Sequence, residues 1–168
     1  GEVISYNNAL QLNIKQIRKA YEDEYNPADY MPSTEKDPEA MYQELLSYGR
    51  QVKNPYLRKI IEYYFENDPD FIKKFKNHSA AKTVHHGFAG GLLEHTLSVV
   101  KFCEYMAGAY PILNRDLLYT AAMCHDIGKI RELSPFPAND YTDDGQLLGH
   151  IVIGVEMISD AIRTIPDF

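Results

Sequence analysis

Three dipeptides, each an aspartate or asparagine followed by proline, constrain the fold of this chain more than any other feature. An Asx side chain at an N-cap accepts hydrogen bonds from the first free amides of a helix, and proline suits the first turn. Behind the first dipeptide, Met41 and Leu45 recur at helical spacing. From Asp37 onward the chain is therefore predicted to fold as packed helices. The three dipeptides are Asp37-Pro38, Asn54-Pro55 and Asp68-Pro69.

Helical periodicity continues through the second half of the sequence. It predicts one helix from about Gly91 to Ala109 and another that starts at Asn114 and ends with the pair His125-Asp126. A polar loop, Ser134 to Asp144, leads to a last helix from about Gln146 to Ile165. The apolar residues of this last helix are Ile151, Val155, Ile158 and Ile162.

The first twenty residues have a different pattern. They predict two short strands about an Asn7-Asn8 turn, with apolar and polar residues alternating in the second strand. Two strands alone are marginally stable, so we interpret residues 1–20 as the end of a larger sheet and the chain as a segment of a longer protein. Residues 21–36, which contain prolines and several acids, are predicted to be a linker. Residues 37–168 then form the main, helical domain.

Composition excludes some classes of protein. No run approaches the roughly 20 apolar residues of a membrane span, so no membrane partner is expected. The two cysteines, Cys103 and Cys124, lie in apolar stretches, which is typical of core packing in a reducing compartment and predicts a cytoplasmic protein. The formal net charge of -7 at pH 7 argues against a basic nucleic-acid coat, although a bound cation can still attract phosphate.

Three histidines and one aspartate are the candidate metal ligands: His95, His125, Asp126 and His150. A lone histidine of this kind is better explained as a core residue with satisfied nitrogens. The pair His125-Asp126 differs, because a carboxylate at the end of a buried helix is costly unless a cation compensates it. Imidazole and carboxylate together favour manganese, iron, cobalt, nickel or zinc over the all-oxygen sites of magnesium and calcium.

Several nearby residues have two interpretations each. His85 and His86 precede a glycine-rich stretch and could act near a substrate or simply lie on the surface. Lys129 could contact a substrate phosphate or form a salt bridge with Glu132. His78 is interpreted as a structural residue without a role in the site.

The stretch from His85 to Ile162 resembles the HD superfamily of metal-dependent phosphohydrolases. In that pattern "GGLLEHT" supplies the first histidine, His95, and "AAMCHDIGK" supplies the pair His125-Asp126. Within the superfamily, "HHGFAGGLLEHTLSVVKFCEY" and "GQLLGHIVIG" are similar to the YhaM-type 3'-to-5' exoribonucleases. The resemblance implies that His150 completes part of a second metal position. It also implies that "GEVISYNNALQLNIKQIRKA" is the end of an OB-fold.

The sequence departs from this family pattern at one place. The last metal-binding aspartate and a further histidine-rich motif have no match here, and Asp160 has the wrong spacing from His150 to share its face. The expected HD domain is therefore incomplete at its C-terminal end. The isolated segment could be inactive.

The resemblance implies an enzyme that uses one or two divalent cations, with manganese preferred and iron, cobalt, nickel, zinc or magnesium as other candidates. It implies 3'-to-5' cleavage of single-stranded RNA or DNA to nucleoside monophosphates. The predicted catalytic residues are Asp126, Lys129 and His86, of which Lys129 and His86 are predicted from their position in the sequence alone. Two alternatives stay open: hydrolysis of small nucleotides or cyclic dinucleotides, and a non-catalytic nucleic-acid-binding module with a structural metal. An oligomer is also compatible with the sequence.

Overall fold

The computed structural model describes most of the chain, in two compact units. The described residues are 1–21, 24–25, 32–83, 86–136 and 138–168. The first unit spans Gly1–Tyr30 and the second Met31–Phe168. Half of the predicted linker, residues 21–36, lies outside the described residues, as does His85.

The first unit contains an antiparallel hairpin, as the alternating pattern predicted. Strand β1 (Glu2–Tyr6) pairs with β2 (Ala9–Asn13), with Val3 opposite Leu12. Asn7 and Asn8 adopt φ angles of 49° and 61°, and asparagine tolerates this left-handed conformation in tight hairpin turns. Every residue of both strands is exposed. The assignment of this hairpin to an OB-fold stays a prediction.

The second unit is helical, which confirms the predicted mainly α fold class with a short N-terminal β segment. Each Asx-Pro dipeptide begins a helix: the side chains of Asp37, Asn54 and Asp68 accept hydrogen bonds from amides of the first turn. The helices are α1 (Pro38–Gly49), α2 (Pro55–Phe65), α3 (Pro69–Asn77), α4 (Gly91–Ala109), α5 (Arg115–Cys124), α6 (Lys129–Glu132), α7 (Asp143–Leu147) and α8 (Gly149–Arg163).

Aromatic side chains hold the helices together at one end of the core. The ring of Phe65 lies edge-on to Phe71 and Phe75, with centroids 5.3 and 5.1 Å away, and all three rings are buried. The buried Tyr64 hydroxyl donates a 2.6 Å hydrogen bond to the carbonyl of Met157, which fixes α8 against α2. None of the described helices is long and apolar enough to cross a membrane.

The last helix differs from its prediction in extent and in orientation. Gly149 has a φ of +72°, and this left-handed residue separates α7 from α8 within the predicted single helix. The buried face of α8 consists of Ile153, Gly154, Met157 and Ala161. Ile151 and Val155 are instead 69% and 62% exposed, so the first half of the predicted apolar stripe does not face the core. Ile158, in its second half, packs against the core.

Candidate metal centre

His125 and Asp126 follow directly after α5, where the chain turns toward α6. The Nδ1 atom of His125 lies 2.8 Å from the carbonyl oxygen of Ala122. Because a carbonyl can only accept, Nδ1 carries the hydrogen, and in a neutral ring the lone pair then resides on Nε2. The backbone of α5 thus presents His125 in the tautomer that a metal ligand requires.

The side chain of His95, in the second turn of α4, lies next to the pair His125-Asp126. Its Nε2 lies 3.2 Å from Nε2 of His125 and 3.5 Å from Oδ2 of Asp126. The Nε2 of His125 is 3.4 Å from the same oxygen. Two ligand atoms on one ion, each about 2.1 Å from it, are separated by about 3.0–3.4 Å in octahedral or tetrahedral geometry. The three separations, 3.2–3.5 Å, are therefore close to those expected for ligands of a single cation.

His150, near the start of α8, approaches the other oxygen of Asp126. Its Nε2 is 3.5 Å from Oδ1, while its Nδ1 is 2.8 Å from the Glu132 carboxylate. Asp126 is only 7% exposed, and its two oxygens face different imidazoles. The structure therefore brings together all four metal ligands that the sequence predicts, in an arrangement that can accept two positions bridged by one carboxylate.

The electrostatics of the centre favour an ionised Asp126. Burial alone would raise the pKa of its carboxyl, but His125, Lys129 and His150 together outweigh burial and hold the pKa below its ordinary value. Burial lowers the pKa of His95, and the Asp126 carboxylate offsets only part of that shift. A neutral imidazole beside an ionised carboxylate is a suitable donor pair for a divalent cation.

The His125 imidazole is shifted in the opposite direction from His95. Burial works against its protonation, but interaction with Asp126 and the hydrogen bond to Ala122 together raise the pKa of His125. A proton on Nε2 and a cation at that atom exclude each other. Metal binding at this atom is therefore expected to weaken as the pH falls through the pKa of His125.

Lys129, on α6, lies where the sequence left two interpretations open. Its ammonium is 3.5 Å from Oε2 of Glu132, and its side chain is 14% exposed. The ion pair with Glu132 is thus present in the structure. Contact with a substrate phosphate stays a prediction.

His86 lies beside the centre in a strained backbone conformation. Its φ is 62°, and its ring centroid is 5.5 Å from that of His95. Its Nδ1 is buried and has no hydrogen-bond partner among the described residues. The sequence placed His86 near the substrate or on the surface, and the structure places it against His95.

Two residues stay outside the centre, as their sequence contexts indicated. Both ring nitrogens of the buried His78 lie 3.1 Å from backbone carbonyls, those of Ser79 and Leu133. Asp160 is exposed and pairs with Arg163 at 2.6 Å.

Glu132 is the residue of the site that the sequence did not single out. It appeared only as a salt-bridge partner for Lys129, yet it is 7% exposed and hydrogen-bonded to His150. Burial would raise the pKa of its carboxyl, but contacts from His150 lower it overall. The only indication in the sequence was an acid one turn beyond Lys129, which does not by itself predict contact with a distant histidine.

Comparison with known proteins agrees with this geometry. The family model described as the HD domain matches residues 92–165. A protein of a Geobacillus strain, named 3'-5' exoribonuclease YhaM, is 36% identical over 162 residues, which are 96% of this chain and 49% of that protein. A protein of the same name from Listeria welshimeri is 36% identical over 160 residues, 95% of this chain and 50% of the relative. No solved structure matches the chain.

Proposed function

Since this chain carries an HD domain across residues 92–165, we propose that it belongs to a metal-dependent 3'-to-5' exonuclease that shortens single-stranded RNA or DNA and releases nucleoside monophosphates. The chain spans about half the length of the curated relatives that it matches. The observation that carries the proposal is the convergence of His95, His125 and His150 on the buried carboxylate of Asp126.

The proposed cofactor is a divalent cation, with manganese preferred because the donor set mixes imidazole nitrogen with carboxylate oxygen. His95, His125 and Oδ2 of Asp126 would hold one ion, and Oδ1 of Asp126 with His150 would contribute to a second position. When bound, such ions lower the pKa of water and offset negative charge on a phosphodiester. Iron, cobalt, nickel, zinc and magnesium are the other candidates.

The chain's own residues would orient the substrate around these ions. We propose that Lys129 and His86 contact the scissile phosphate, since the Lys129 ammonium lies on α6 beside the centre and His86 has an unpaired buried Nδ1. Asp126, ionised and shared between the imidazoles, is the third proposed catalytic residue.

The proposed substrate class rests on the relatives, whose printed name is exoribonuclease. An upstream OB-fold, of which the hairpin in residues 1–20 is the predicted end, would hold a single strand by base stacking and backbone contacts. The two free cysteines fit a reducing compartment, so the proposed location is the cytoplasm.

The function is tested on the full-length gene product with single-stranded RNA and DNA, labelled in parallel at the 5' and 3' ends. With Mn²⁺ we expect a ladder of shortened 5'-labelled products, and immediate release of a labelled mononucleotide from the 3'-labelled strand. Removal of Mn²⁺ by a chelator should stop both the shortening and the release of mononucleotide. Intact nucleic acid with turnover of free nucleotides would favour a small-nucleotide phosphohydrolase, and retained metal without any turnover would favour a structural metal site.

The proposed phosphate contacts are tested by Lys129→Gln and His86→Ala. Each should lower kcat/KM on single-stranded RNA by on the order of tenfold to a hundredfold, because each removes one group that would stabilise charge on the phosphate. Mn²⁺ affinity, titrated separately, should change little in His86→Ala. Lys101→Gln is the matched control, because Lys101 pairs with Glu44 on the protein surface. Unchanged kinetics in both test variants would remove these two residues from the site.

A further inference from the structure

Glu132 is a buried carboxylate whose hydrogen bonds all point to one candidate ligand. Its Oε1 accepts from the backbone amide of His150 at 3.0 Å and lies 2.8 Å from Nδ1 of the same residue. Its Oε2 is 3.5 Å from the ammonium of Lys129. A carboxylate that is only 7% exposed is costly without such partners, so Lys129 and His150 together compensate its burial.

The contact between Glu132 and His150 determines which ring nitrogen of His150 has a lone pair for a cation. An ionised carboxylate can only accept, so Nδ1 of His150 must carry the hydrogen, and the lone pair of the neutral ring is then on Nε2. That Nε2 is the atom 3.5 Å from Oδ1 of Asp126. The carbonyl of Ala122 has the equivalent contact with His125, but there the partner is neutral backbone.

The backbone around Glu132 fixes its position. Its carbonyl oxygen accepts from the amide of Thr142 at 3.0 Å and from the hydroxyl of the same residue at 3.2 Å. A Cβ at Gly145 would lie 2.1 Å from this oxygen, so α7 packs against Glu132 at a distance that only glycine permits. The carboxylate is therefore held by α6 and α7 while it contacts α8.

We propose that Glu132 is a positioning residue that presents Nε2 of His150 to a divalent cation at the Oδ1 side of Asp126. This inference rests on the metal centre of the proposed function. Carboxylates that orient a ligating histidine in this way increase metal affinity, and their loss typically reduces it by about 10- to 100-fold. Glu132 does not itself contact the reacting atoms.

The test compares the wild type with Glu132→Gln, with Glu104→Gln as the matched control on an exposed carboxylate that pairs with Arg115. Mn²⁺ binding is titrated by calorimetry and by electron paramagnetic resonance. We expect two binding events in the wild type and in Glu104→Gln. In Glu132→Gln the event assigned to the His150 position should lose about 10- to 100-fold in affinity, whereas the event assigned to His95 and His125 should be retained.

A second measurement determines the tautomer of His150 in the metal-free protein. Nitrogen-15 spectra of the imidazole should show Nδ1–H in the wild type and a shift toward Nε2–H in Glu132→Ala, because alanine removes the acceptor, whereas the amide oxygen of glutamine could still accept from Nδ1–H. A purely structural role for Glu132 would change the melting temperature but not this tautomer. If Glu132→Ala fails to fold, the wild-type spectrum still tests the inference, because an Nε2–H tautomer of His150 in the wild type would overturn it.

The possible failures are distinguishable. A wild type that binds no Mn²⁺ would overturn the proposed metal centre and the proposed function. A wild type that binds Mn²⁺, with unchanged affinity in Glu132→Gln and an unchanged tautomer in Glu132→Ala, would overturn only the role of Glu132.

Discussion

Asp126→Asn is expected to lower kcat of the full-length enzyme by on the order of 10³-fold and to weaken Mn²⁺ binding at both positions. The substitution keeps the shape of the side chain but removes its charge and replaces one accepting oxygen with an amide donor. Both carboxylate oxygens face imidazole nitrogens, at 3.4–3.5 Å. Either orientation of the amide therefore places an N–H group where a cation would be held. Turnover of 3'-labelled RNA and Mn²⁺ titration measure the two effects.

Asp160→Asn is the control for this experiment. It makes the same chemical change on an exposed residue of α8 that pairs with Arg163, so kcat and metal affinity should stay at wild-type values. Thermal unfolding in the presence of chelator should show that Asp126→Asn is folded. Wild-type activity in folded Asp126→Asn would contradict a catalytic metal centre at this residue.

Gly128→Ala is expected to have the largest effect on stability. A Cβ at this position would lie 2.1 Å from the carbonyl oxygen of His150 and 2.8 Å from the amide nitrogen of Gly154, both backbone atoms of α8. Neither can move without displacing the helix. We expect a loss of about 3 kcal/mol or more in the free energy of unfolding, at the upper end for overpacked interiors, measured by urea denaturation. Displacement of α8 should also weaken Mn²⁺ binding at the His150 position.

Gly154→Ala provides a matched control in the same helix contact. A Cβ there would meet only the amide nitrogen of Gly128 among the described residues, at 3.9 Å, which is an ordinary contact. Because alanine is favoured over glycine in a helix by about 0.5–1 kcal/mol, this variant should be neutral or slightly more stable. Equal destabilisation by both substitutions would indicate that close packing at Gly128 is not the cause.

The helix starts and the candidate ligands could be predicted from sequence because their determinants are local. An N-cap such as Asp37 acts on amides two and three residues away, so the dipeptide alone indicates the helix. The pair His125-Asp126 is adjacent in sequence, and its chemistry implies a cation. Helical spacing then placed His95 and His150 in segments that could reach it.

Features that depend on tertiary contacts could not be predicted in the same way. The orientation of α8 follows from the left-handed Gly149 and from packing against α2, so Ile151 is exposed although it belongs to the predicted apolar stripe. The contact of Glu132 with His150 joins residues from two helices, and no periodicity in either segment indicates it. The close approach at Gly128 is likewise visible only once α8 is in place.

The candidate ligands come from α4, the end of α5 and the start of α8, which are separated along the chain by long segments. A cation held by all three would act as a cross-link between parts of the chain that the unfolded state leaves far apart. Folding and ion binding would then be thermodynamically linked, with stability rising by about 2.7 kcal/mol when free ion reaches a hundredfold excess over its dissociation constant. A chelator would accordingly act on this protein as a mild denaturant as well as an inhibitor.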